Sequence, residues 1–537
     1  MRDTDGFTWW KHGVIYQIYP RSFYDANGDG VGDLPGITEK LDYLSWLGVD
    51  ALWISPVNTS PMFDFGYDIS DYRAIDPVFG TQEDFDRLLA GAHRRGIAII
   101  MDLVINHTSH LHPWFIESRS SRHSPKRDWY IWHDGKKRKP PNNWMAAFGG
   151  RAWEWDGATG QYYQHSFLKE QPDLNWRNPA VRDAVFGDIR YWLDRGVDGF
   201  RLDAVIWFVK DDRFRSNPCG WGPNAPRPYD LQKHVYDQNR PETHDVLRDL
   251  RRLLDKYDSR MMVGETYENS PRGAKIAASY LGTGTDELHL AFDFSLLFSK
   301  YGARRFRQCL ARWYEAVPEA AWPSIVLNNH DQPRSFARWC RGRHGTERAR
   351  LLAALLLTAR GTPFLYYGEE IGMDNGAVSR RQIQDPLGKK YWPFHRGRDP
   401  SRTPMQWTSG PNAGFSEGVP WLPVAASYRE VNVEGQMKDP GSLLHFYRRL
   451  VSLRRERAAL SRGSFRLAGE DPDILAFYRE EGSGRLLVAL NFSRGRRTMK
   501  LHDFIPGKVV LSSAGRKAGD FACTMELEPY EALIVEE

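Results

Sequence analysis

The sequence predicts an α/β protein: a (β/α)₈ barrel with a domain inserted after the third strand and a C-terminal antiparallel β domain. Three observations predict this fold. Short β-branched or aromatic runs alternate with segments of helical period, one long aperiodic stretch interrupts the alternation, and the chain ends in alternating strand patterns. With 537 residues the chain exceeds the size at which one hydrophobic core usually keeps growing, so more than one domain is expected.

Eight strand candidates occur in order along the chain. They are VIYQIYP from Val14, ALWISP from Ala51, IAIIMDLVIN from Ile97, GFRLDAV from Gly199, MMVGETY from Met261, ELHLAFDF from Glu287, WPSIVLNNHD from Trp322 and TPFLYYGEE from Thr362. Helical segments lie between them, with apolar residues at three- and four-residue spacing, for example ITEKLDYLSWLG, TQEDFDRLLAGAHRRG and PETHDVLRDLRRLLDKY. Repeated strand–helix units around a parallel sheet predict a closed barrel.

Two irregular stretches interrupt the repeat. Residues 107–173 are rich in Trp, Pro, Gly, Arg and His and are too long for an ordinary strand-to-helix loop, which predicts an inserted domain. Residues 371–440 follow the eighth strand and are predicted to form a second wall of the same mouth. From Ser464 onward, runs such as LLVALNFS predict antiparallel strands. The predicted division is a barrel over 1–106 and 174–463, an inserted domain over 107–173, and a β domain over 464–537.

Composition excludes several classes of partner. The formal net charge is only +5 and both signs are spread along the chain, so nucleic acid is not the expected partner. No segment approaches the roughly 20 apolar residues of a membrane span, and the N-terminus lacks an apolar core of signal-peptide length. The four cysteines are far apart, which favours neither a zinc site nor a disulfide framework. We therefore expect a soluble cytoplasmic protein without a membrane partner.

Polar side chains cluster at the predicted ends of four strands. The third strand ends in Asp102, Asn106 and His107, the fourth in Arg201 and Asp203, the fifth in Glu265, and the seventh in His330 and Asp331. A buried carboxylate is costly unless it is paired, so carboxylates at several strand ends are hard to explain as scaffold. In a barrel, these ends form the face that carries active sites. The pattern predicts a carboxylate-based active site.

The motifs at these positions resemble a known family. DLVINHTS from Asp102, GFRLDAV from Gly199, GETY from Gly264 and NNHDQPR from Asn328 resemble, in order and spacing, the motif set of the α-amylase family of glycoside hydrolases, family 13. QPDLNW from Gln171 resembles the additional motif of the oligo-1,6-glucosidase and α-glucosidase branch. VIYQIYPRSF, FGYDISDY and GRDPSRTPMQW support the same assignment. The resemblance extends over the whole chain.

The resemblance implies three catalytic carboxylates. Asp203 would be the nucleophile, Glu265 the general acid/base, and Asp331 the carboxylate that grips sugar hydroxyls and supports the transition state. Retaining cleavage needs one ionised and one protonated carboxyl group, about 5 to 5.5 Å apart. Arg201, two residues before Asp203 on the same strand face, is expected to hold that carboxylate ionised. Glu265 lies in the apolar run VGETY, where desolvation favours the protonated form.

The same resemblance implies a closed sugar pocket. The residues that it assigns to substrate binding are Asp64, Tyr67, His107, Phe167, Gln171, Arg201, His330 and Arg398. Asp64 and Arg398 are the informative pair, because a charged contact on the distal hydroxyls of a terminal sugar makes attack exo rather than endo. The substrate expected is therefore a small oligosaccharide or α-glucoside, and the protein is expected to be a monomer or a homodimer.

A metal site is predicted near the N-terminus. The stretch DANGDGVGD places oxygen donors at the alternating spacing of an EF-hand-like loop, which suits Ca²⁺ or Mg²⁺. The candidate ligands are Asp25, Asn27, Asp29, Val31 and Asp33. Gly36 stands where such loops usually carry a glutamate, and a turn without metal is the alternative. The matching loop of the family binds a structural cation, so we expect it to affect stability rather than catalysis.

The resulting prediction is a retaining exo-acting α-glucosidase. Alternatives are an α-glucosyl transferase or sucrose isomerase that uses the same covalent intermediate, and an oligo-1,6-glucosidase. The plus-subsite loops at 211–240 and 371–440 would decide between water and a sugar acceptor. A non-catalytic transporter-associated relative is disfavoured by the complete carboxylate set. In relatives preferring α-1,6 bonds, the residue after the nucleophile looks to be valine; here it is Ala204, so α-1,4 bonds are expected to be preferred.

Overall fold

The computed structural model describes residues 6–137, 139–220, 227–268, 270–500, 507–516, 520–521 and 524–537. Its main sheet contains eight parallel strands. They are β1 (Ile15–Ile18), β2 (Ala51–Ile54), β3 (Ala98–Leu103), β4 (Gly199–Leu202), β5 (Met261–Gly264), β6 (Leu290–Ala291), β7 (Ser324–Val326) and β8 (Thr362–Tyr366). Each predicted strand segment contains one of these strands, which confirms the predicted barrel.

The strands are hydrogen-bonded in the order β6-β5-β4-β3-β2-β1-β8-β7. Between the two end strands, the Ser324 hydroxyl donates to the carbonyl of Ala291 at 2.8 Å and so links β7 to β6. The interior of the barrel is filled by one cluster of apolar side chains from most of the strands, including Ile15, Trp53, Ile100, Val263 and Phe364. On β4 the outward residues are Phe200 and Leu202, and the inward positions are Gly199 and Arg201. Arg201 is therefore a charged side chain at an inward position near the carboxyl end of β4.

Helices pack around the sheet. They are Leu34–Glu39 and Leu41–Leu47 after β1, Gln82–Arg94 after β2, Pro179–Asp194 after β3, Glu242–Leu254 after β4, Gly273–Ser279 after β5, Ala303–Ala316 after β6, Gly345–Thr358 after β7 and Leu443–Glu456 after β8. The helix Gln82–Arg94 shows why such segments are helical. Thr81 and Asp84 form a reciprocal capping box at its start, and Phe85, Leu88, Leu89 and Ala92 bury one face.

The chain leaves the barrel after β3 and returns at the same place. His107 and Asp173 form an isolated antiparallel bridge, which brings together the two ends of the predicted insert. Between them lie the helix Pro113–Ser120 and a three-stranded antiparallel sheet. Its strands are Trp132–His133, Trp153–Asp156 and Gln161–Gln164.

A second sheet follows the last barrel helix. Its strands, in hydrogen-bonded order, are Ser464–Ala468, Ile474–Glu481, Gly484–Asn491, Ala532–Glu536, Gly507–Ser512 and Asp520–Phe521. All neighbouring strands are antiparallel, and a two-stranded sheet of Arg497–Lys500 and Thr524–Leu527 accompanies them. Two further short helices, Pro386–Tyr391 and Val433–Lys438, lie between β8 and its helix.

Two general features bear on the sequence predictions. Among the described residues, no helix is long and apolar enough to cross a bilayer. Cys219, Cys309 and Cys340 are free thiols, and Cys523 lies outside the described residues.

Candidate active site

A buried arginine lies among three carboxylates at the carboxyl ends of β3, β4 and β5. Arg201 Nη1 is 2.8 Å from Asp102 Oδ1 and 2.7 Å from Asp203 Oδ1, and its Nη2 is 2.9 Å from Glu265 Oε2. Its side chain is only 2% exposed. Buried charges persist when they are paired and hydrogen-bonded, and this guanidinium pairs with carboxylates through both terminal nitrogens. The nucleophile and acid/base candidates therefore share one cation.

This sharing corrects the expected division of charge. The sequence associated Arg201 with Asp203 and placed Glu265 in apolar surroundings, whereas the structure places both carboxyl groups against the same guanidinium. Burial raises the pKa of Glu265 to about 8 and that of Asp203 to about 7, and Arg201 opposes both shifts. Desolvation is the leading cause for both groups, so this pair holds a proton to higher pH than ordinary carboxyl groups do.

Ala204, directly after Asp203, links the two carboxyl groups through the backbone. Its φ of +51° is left-handed, and its N–H donates to Glu265 Oε2 at 3.2 Å. A left-handed conformation is uncommon for residues other than glycine. The side chain is fully buried, as those of Asp203 and Glu265 nearly are.

The third carboxylate, Asp331, follows β7 and faces two arginines. Its Oδ1 lies 2.8 Å from Arg402 Nη2 and 3.4 Å from Arg398 Nη1, and its Oδ2 lies 3.4 Å from His330 Nε2. Burial would raise the pKa of Asp331, but the positive charges of Arg398 and Arg402 hold it below its ordinary range. Burial also lowers the pKa of His330 well below its ordinary value, so this imidazole is neutral at neutral pH. The two guanidinium groups therefore keep Asp331 ionised.

A hydrogen-bonded chain orients the neutral His330. The Gln17 amide nitrogen lies 2.8 Å from His330 Nδ1, so Nδ1 is the acceptor and Nε2 carries the proton. Nε2 lies 2.7 Å from the Tyr67 hydroxyl, which in turn donates to Asp102 Oδ2 at 3.1 Å. Tyr67 also stacks on the imidazole, with ring centroids 5.5 Å apart. Every member has its partner, which makes this side of the site rigid.

His107, Gln171 and Phe167 form an adjoining wall at the neck of the insert. His107 Nε2 is 2.9 Å from the carbonyl of Tyr67, and the Gln171 amide donates to the same carbonyl at 3.0 Å. Burial lowers the pKa of His107 to about 4, so it is neutral at neutral pH. The Phe167 ring lies 5.3 Å from the imidazole of His107. The insert therefore contributes directly to the site.

An ion-pair cluster adjoins this wall, where the Gln171 amide also donates to Asp64 at 3.4 Å. Arg398 Nη2 pairs with Asp64, and Nη1 reaches Asp331. The guanidinium also lies 4.8 Å from the centre of the Phe148 ring, on the insert. Asp64 and Arg398 are 334 residues apart in sequence and lie on different walls. The structure thus brings together all the predicted catalytic and sugar-binding residues.

Sequence reasoning assigned no role to four residues of this site. Asp102 was placed at a strand end without a function, and Gln17, Arg402 and Asp385 were not singled out. A signal existed for Gln17, a polar residue inside the apolar run VIYQIYP, and for Arg402, inside the motif GRDPSRTPMQW. Asp385 carried no such signal, because its partner is identified only by the tertiary structure.

In the predicted metal loop, side-chain oxygen atoms accept hydrogen bonds from backbone N–H groups of the loop itself. Asp25 accepts hydrogen bonds from the N–H groups of Asn27, Gly28 and Gly30 and from the Ser416 hydroxyl. Asn27 and Asp29 accept from backbone N–H groups two residues ahead, and Asp33 caps the helix Leu34–Glu39. The oxygen donors suit Ca²⁺ or Mg²⁺ chemically, but within the described residues no group of three His, Cys, Asp or Glu side chains has a metal-binding arrangement. The cation, together with Val31 as a ligand, stays a prediction.

Comparison with curated proteins finds relatives over almost the whole chain. A probable α-glucosidase of Rhizobium meliloti (strain 1021) is 45% identical over 504 residues, which cover 92% of this chain and 91% of the relative. An oligo-1,6-glucosidase of Parageobacillus thermoglucosidasius is 41% identical over an alignment of 561 positions, which covers 98% of each chain.

Solved structures agree. The α-glucosyl transfer enzyme XgtA superposes with a TM-score of 0.94 at 42% identity, covering 99% of each chain. The trehalulose synthase MutB from Pseudomonas mesoacidophila MX-45 superposes with a TM-score of 0.89 at 36% identity, covering 99% of this chain and all of MutB. The family model of the α-amylase catalytic domain matches residues 17–463. This chain therefore belongs to the α-amylase family of glycoside hydrolases.

Proposed function

We propose that this enzyme is a retaining, exo-acting α-glucosidase that releases glucose from the non-reducing end of short α-glucosides, with α-1,4 bonds preferred. One observation carries the proposal: Asp203 and Glu265 flank Arg201 at one side of the site, and Arg398 joins Asp64 to Asp331 at the other. The first group supplies the chemistry of bond cleavage. The second closes the site where a longer chain would have to continue, which supports exo attack.

The proposed reaction has two steps. In the first, an oxygen of ionised Asp203 bonds to the anomeric carbon while the bond to the leaving oxygen breaks, and Glu265 donates its proton to that oxygen. In the second, Glu265 removes a proton from water, whose oxygen bonds to the anomeric carbon as the Asp203 ester breaks. The raised pKa of Glu265 suits the acid of the first step. Asp331, held ionised by arginines, would bind hydroxyl groups and favour the positive charge that develops on the sugar.

Substitution of the two carboxyl groups tests these roles. Asp203→Asn keeps the shape of the side chain but cannot attack, so kcat should fall by a factor on the order of 10⁴ or more while maltose still binds. Residual turnover within tenfold of wild type would exclude Asp203 as the nucleophile.

Glu265→Gln should behave differently on an aryl α-glucoside, because a good leaving group needs little help from an acid. The glucosyl-enzyme should form, stall, and then be released by azide as the α-glucosyl azide, since two displacements retain configuration. A β-glucosyl azide, or no effect of azide, would rule out this assignment.

Transfer is the second candidate, favoured by the likeness to XgtA and to the trehalulose synthase. It needs the same glucosyl-enzyme, with a sugar hydroxyl in place of water as the attacking group. Initial rates on maltose, isomaltose, sucrose, trehalose and soluble starch, with products followed by chromatography, separate the candidates. Two molecules of glucose released per maltose consumed support hydrolysis, because transfer releases only the leaving glucose. Longer saccharides or sucrose isomers as main products would replace hydrolysis by transfer or isomerisation. Rapid shortening of starch would contradict exo attack.

A further inference from the structure

A buried carboxylate, Asp385, pairs with the guanidinium of Arg398. Asp385 Oδ1 lies 2.7 Å from Arg398 Nε and 2.6 Å from Nη2, while Nη2 and Nη1 contact Asp64 and Asp331 on the side of the pocket. Asp385 is fully buried, and among the described residues no other carboxylate accepts a hydrogen bond from Arg398 Nε. Both edges of the guanidinium are thus occupied, one by the pocket and one by Asp385.

The backbone around Asp385 supports this contact through two N–H donors and a nearby glycine. Asp385 Oδ2 accepts hydrogen bonds from the N–H groups of Arg398, at 3.1 Å, and Gly388, at 3.2 Å. Gly397, with a φ of +75°, permits the close approach, because a Cβ there would lie 2.5 Å from Asp385 Oδ2. Asp399 completes the arrangement by accepting from the N–H of Asp385 at 3.0 Å. The two segments that meet here, 384–388 and 397–399, are therefore fixed to each other as well as to the arginine.

We propose that Asp385 is a positioning residue that holds Arg398 in the orientation from which it binds Asp64 and Asp331 and so closes the sugar pocket. This inference rests on the proposed function. An arginine side chain has many rotamers. If nothing held Arg398 before the sugar bound, the loss of its conformational entropy would weaken binding. Asp385 supplies that order before the substrate arrives.

Asparagine cannot replace Asp385 in this role. One carboxylate oxygen accepts from the guanidinium and the other from two backbone N–H groups, so all of the neighbours are donors. An amide offers one acceptor oxygen, and its NH₂ group would face donors on whichever side it lay. Asp385→Ser supplies a second test, because serine still caps the helix Pro386–Tyr391 but does not reach the guanidinium as an anion.

A double-mutant cycle with Arg398 separates positioning from a general structural role. We expect Asp385→Asn and Asp385→Ser each to lower kcat/KM for maltose and for an aryl α-glucoside by about 10- to 100-fold, since both substrates share the terminal glucose. In an Arg398→Ala background the same substitutions should cost less than about threefold. Calorimetry should show the same pattern for maltose binding when all variants also carry Asp203→Asn.

Asp50 provides a matched control at the opposite end of the barrel, directly before β2. It is 2% exposed, one of its oxygens is 2.7 Å from Arg455 Nη2, and the other accepts from the N–H of Val14 at 2.8 Å. Asp50→Asn therefore removes a similar buried contact away from the site, and should leave kcat/KM within about twofold of wild type.

The outcomes distinguish the two hypotheses. Equal losses with and without Arg398, or an equal loss from Asp50→Asn, would overturn the role of Asp385 while leaving the α-glucosidase proposal in place. If both Asp385 variants fail to fold whereas Asp50→Asn folds, Asp385 is a structural residue and the inference is wrong. A wild-type enzyme that neither cleaves nor binds α-glucosides would overturn both hypotheses.

Discussion

Arg201 is the residue on which the chemistry of the site depends. It occupies an inward position of β4, where an apolar side chain would otherwise fill the barrel, and its contacts with Asp102, Asp203 and Glu265 offset part of the cost of its burial. One guanidinium cannot neutralise three carboxylates, so the cluster favours a bound proton. Burial raises the pKa values of Asp203 and Glu265, and repulsion from neighbouring carboxylates adds to both shifts.

The raised pKa values of this pair predict how activity depends on pH. Activity needs Asp203 ionised and Glu265 protonated, so kcat/KM should be bell-shaped, with its acid limb from Asp203 and its alkaline limb from Glu265. With pKa values raised to about 7 and about 8, the optimum should lie in that interval. The limbs belong to the pair as a whole, since the groups interact. An optimum near pH 5 would contradict the burial of this pair.

The same shifts predict a stability effect. Because burial raises the folded pKa of Glu265 above its unfolded value, its stabilising contribution is complete below the unfolded pKa and is lost as pH rises through about 8. Glu265→Gln should therefore raise Tm relative to wild type at pH 8.5, by the equivalent of about 1 to 3 kcal/mol, and the gain should vanish near pH 4. Asp331, whose pKa is lowered, has the opposite sign, but it is present in both wild type and variant, so each comparison at one pH is free of it. A gain of equal size at both pH values would contradict this account.

Ala204 carries the prediction on bond preference. Steric differences of one or two methyl groups typically change kcat/KM by roughly 10- to 200-fold, and Ala204→Val should shift the ratio of maltose to isomaltose cleavage toward isomaltose. Because Ala204 is buried with φ at +51°, valine should also lower stability by about 1 to 2 kcal/mol. Ala204→Gly, which relieves the conformation without adding bulk, is the control. An unchanged ratio in the valine variant would assign bond choice to the loops at 211–240 and 371–440.

At the scale of elements, the loop from Asp25 to Asp33 poses a question of stability. Its backbone N–H groups already have side-chain acceptors, so a cation would add contacts to an ordered loop rather than order it. If the family's cation binds here, chelation should lower Tm, by the equivalent of about 2.7 kcal/mol when the cation stands at 100 times its Kd. Asp29→Ala should abolish that dependence. Superimposed melting curves with and without chelator would leave the loop as a metal-free turn.

At the scale of the whole molecule, buried arginines join the C-terminal sheet to the barrel. Arg479 donates to the carbonyls of Thr358, at 2.6 Å, Ser464 and Gly463, and the first of these ends a barrel helix. Arg479→Ala would leave the buried carbonyls of Thr358 and Gly463 without this donor and should lower the free energy of unfolding by about 3 to 5 kcal/mol. Since the contact is away from the site, KM should not change.

Thermal unfolding with parallel kinetics checks this prediction. Arg341→Ala is the matched control, because Arg341 pairs with Asp374 at an exposed position and should contribute less than about 1 kcal/mol. Equal losses from the two substitutions would show that the junction between the sheet and the barrel contributes little.

The eight strands and the long insert could be predicted from local pattern, because alternating and apolar runs, helical period and loop length are properties of contiguous residues. The family resemblance, confirmed by the match over residues 17–463, also came from short motifs, each carried by one strand end. The catalytic residues could be named for the same reason. Their roles stay predictions that the proposed substitutions test.

What only the tertiary structure decided is how charges are shared between distant segments. Arg201 was expected to keep Asp203, two residues away, ionised. It also pairs with Glu265, because adjacent parallel strands place Arg201 and Glu265 at the same end of the barrel. Asp385 joins the site through a contact with Arg398 that no motif reveals. Sequence pattern thus determined which residues face the mouth of the barrel. Electrostatic interaction depends on distances through space, and the closed barrel sets those distances.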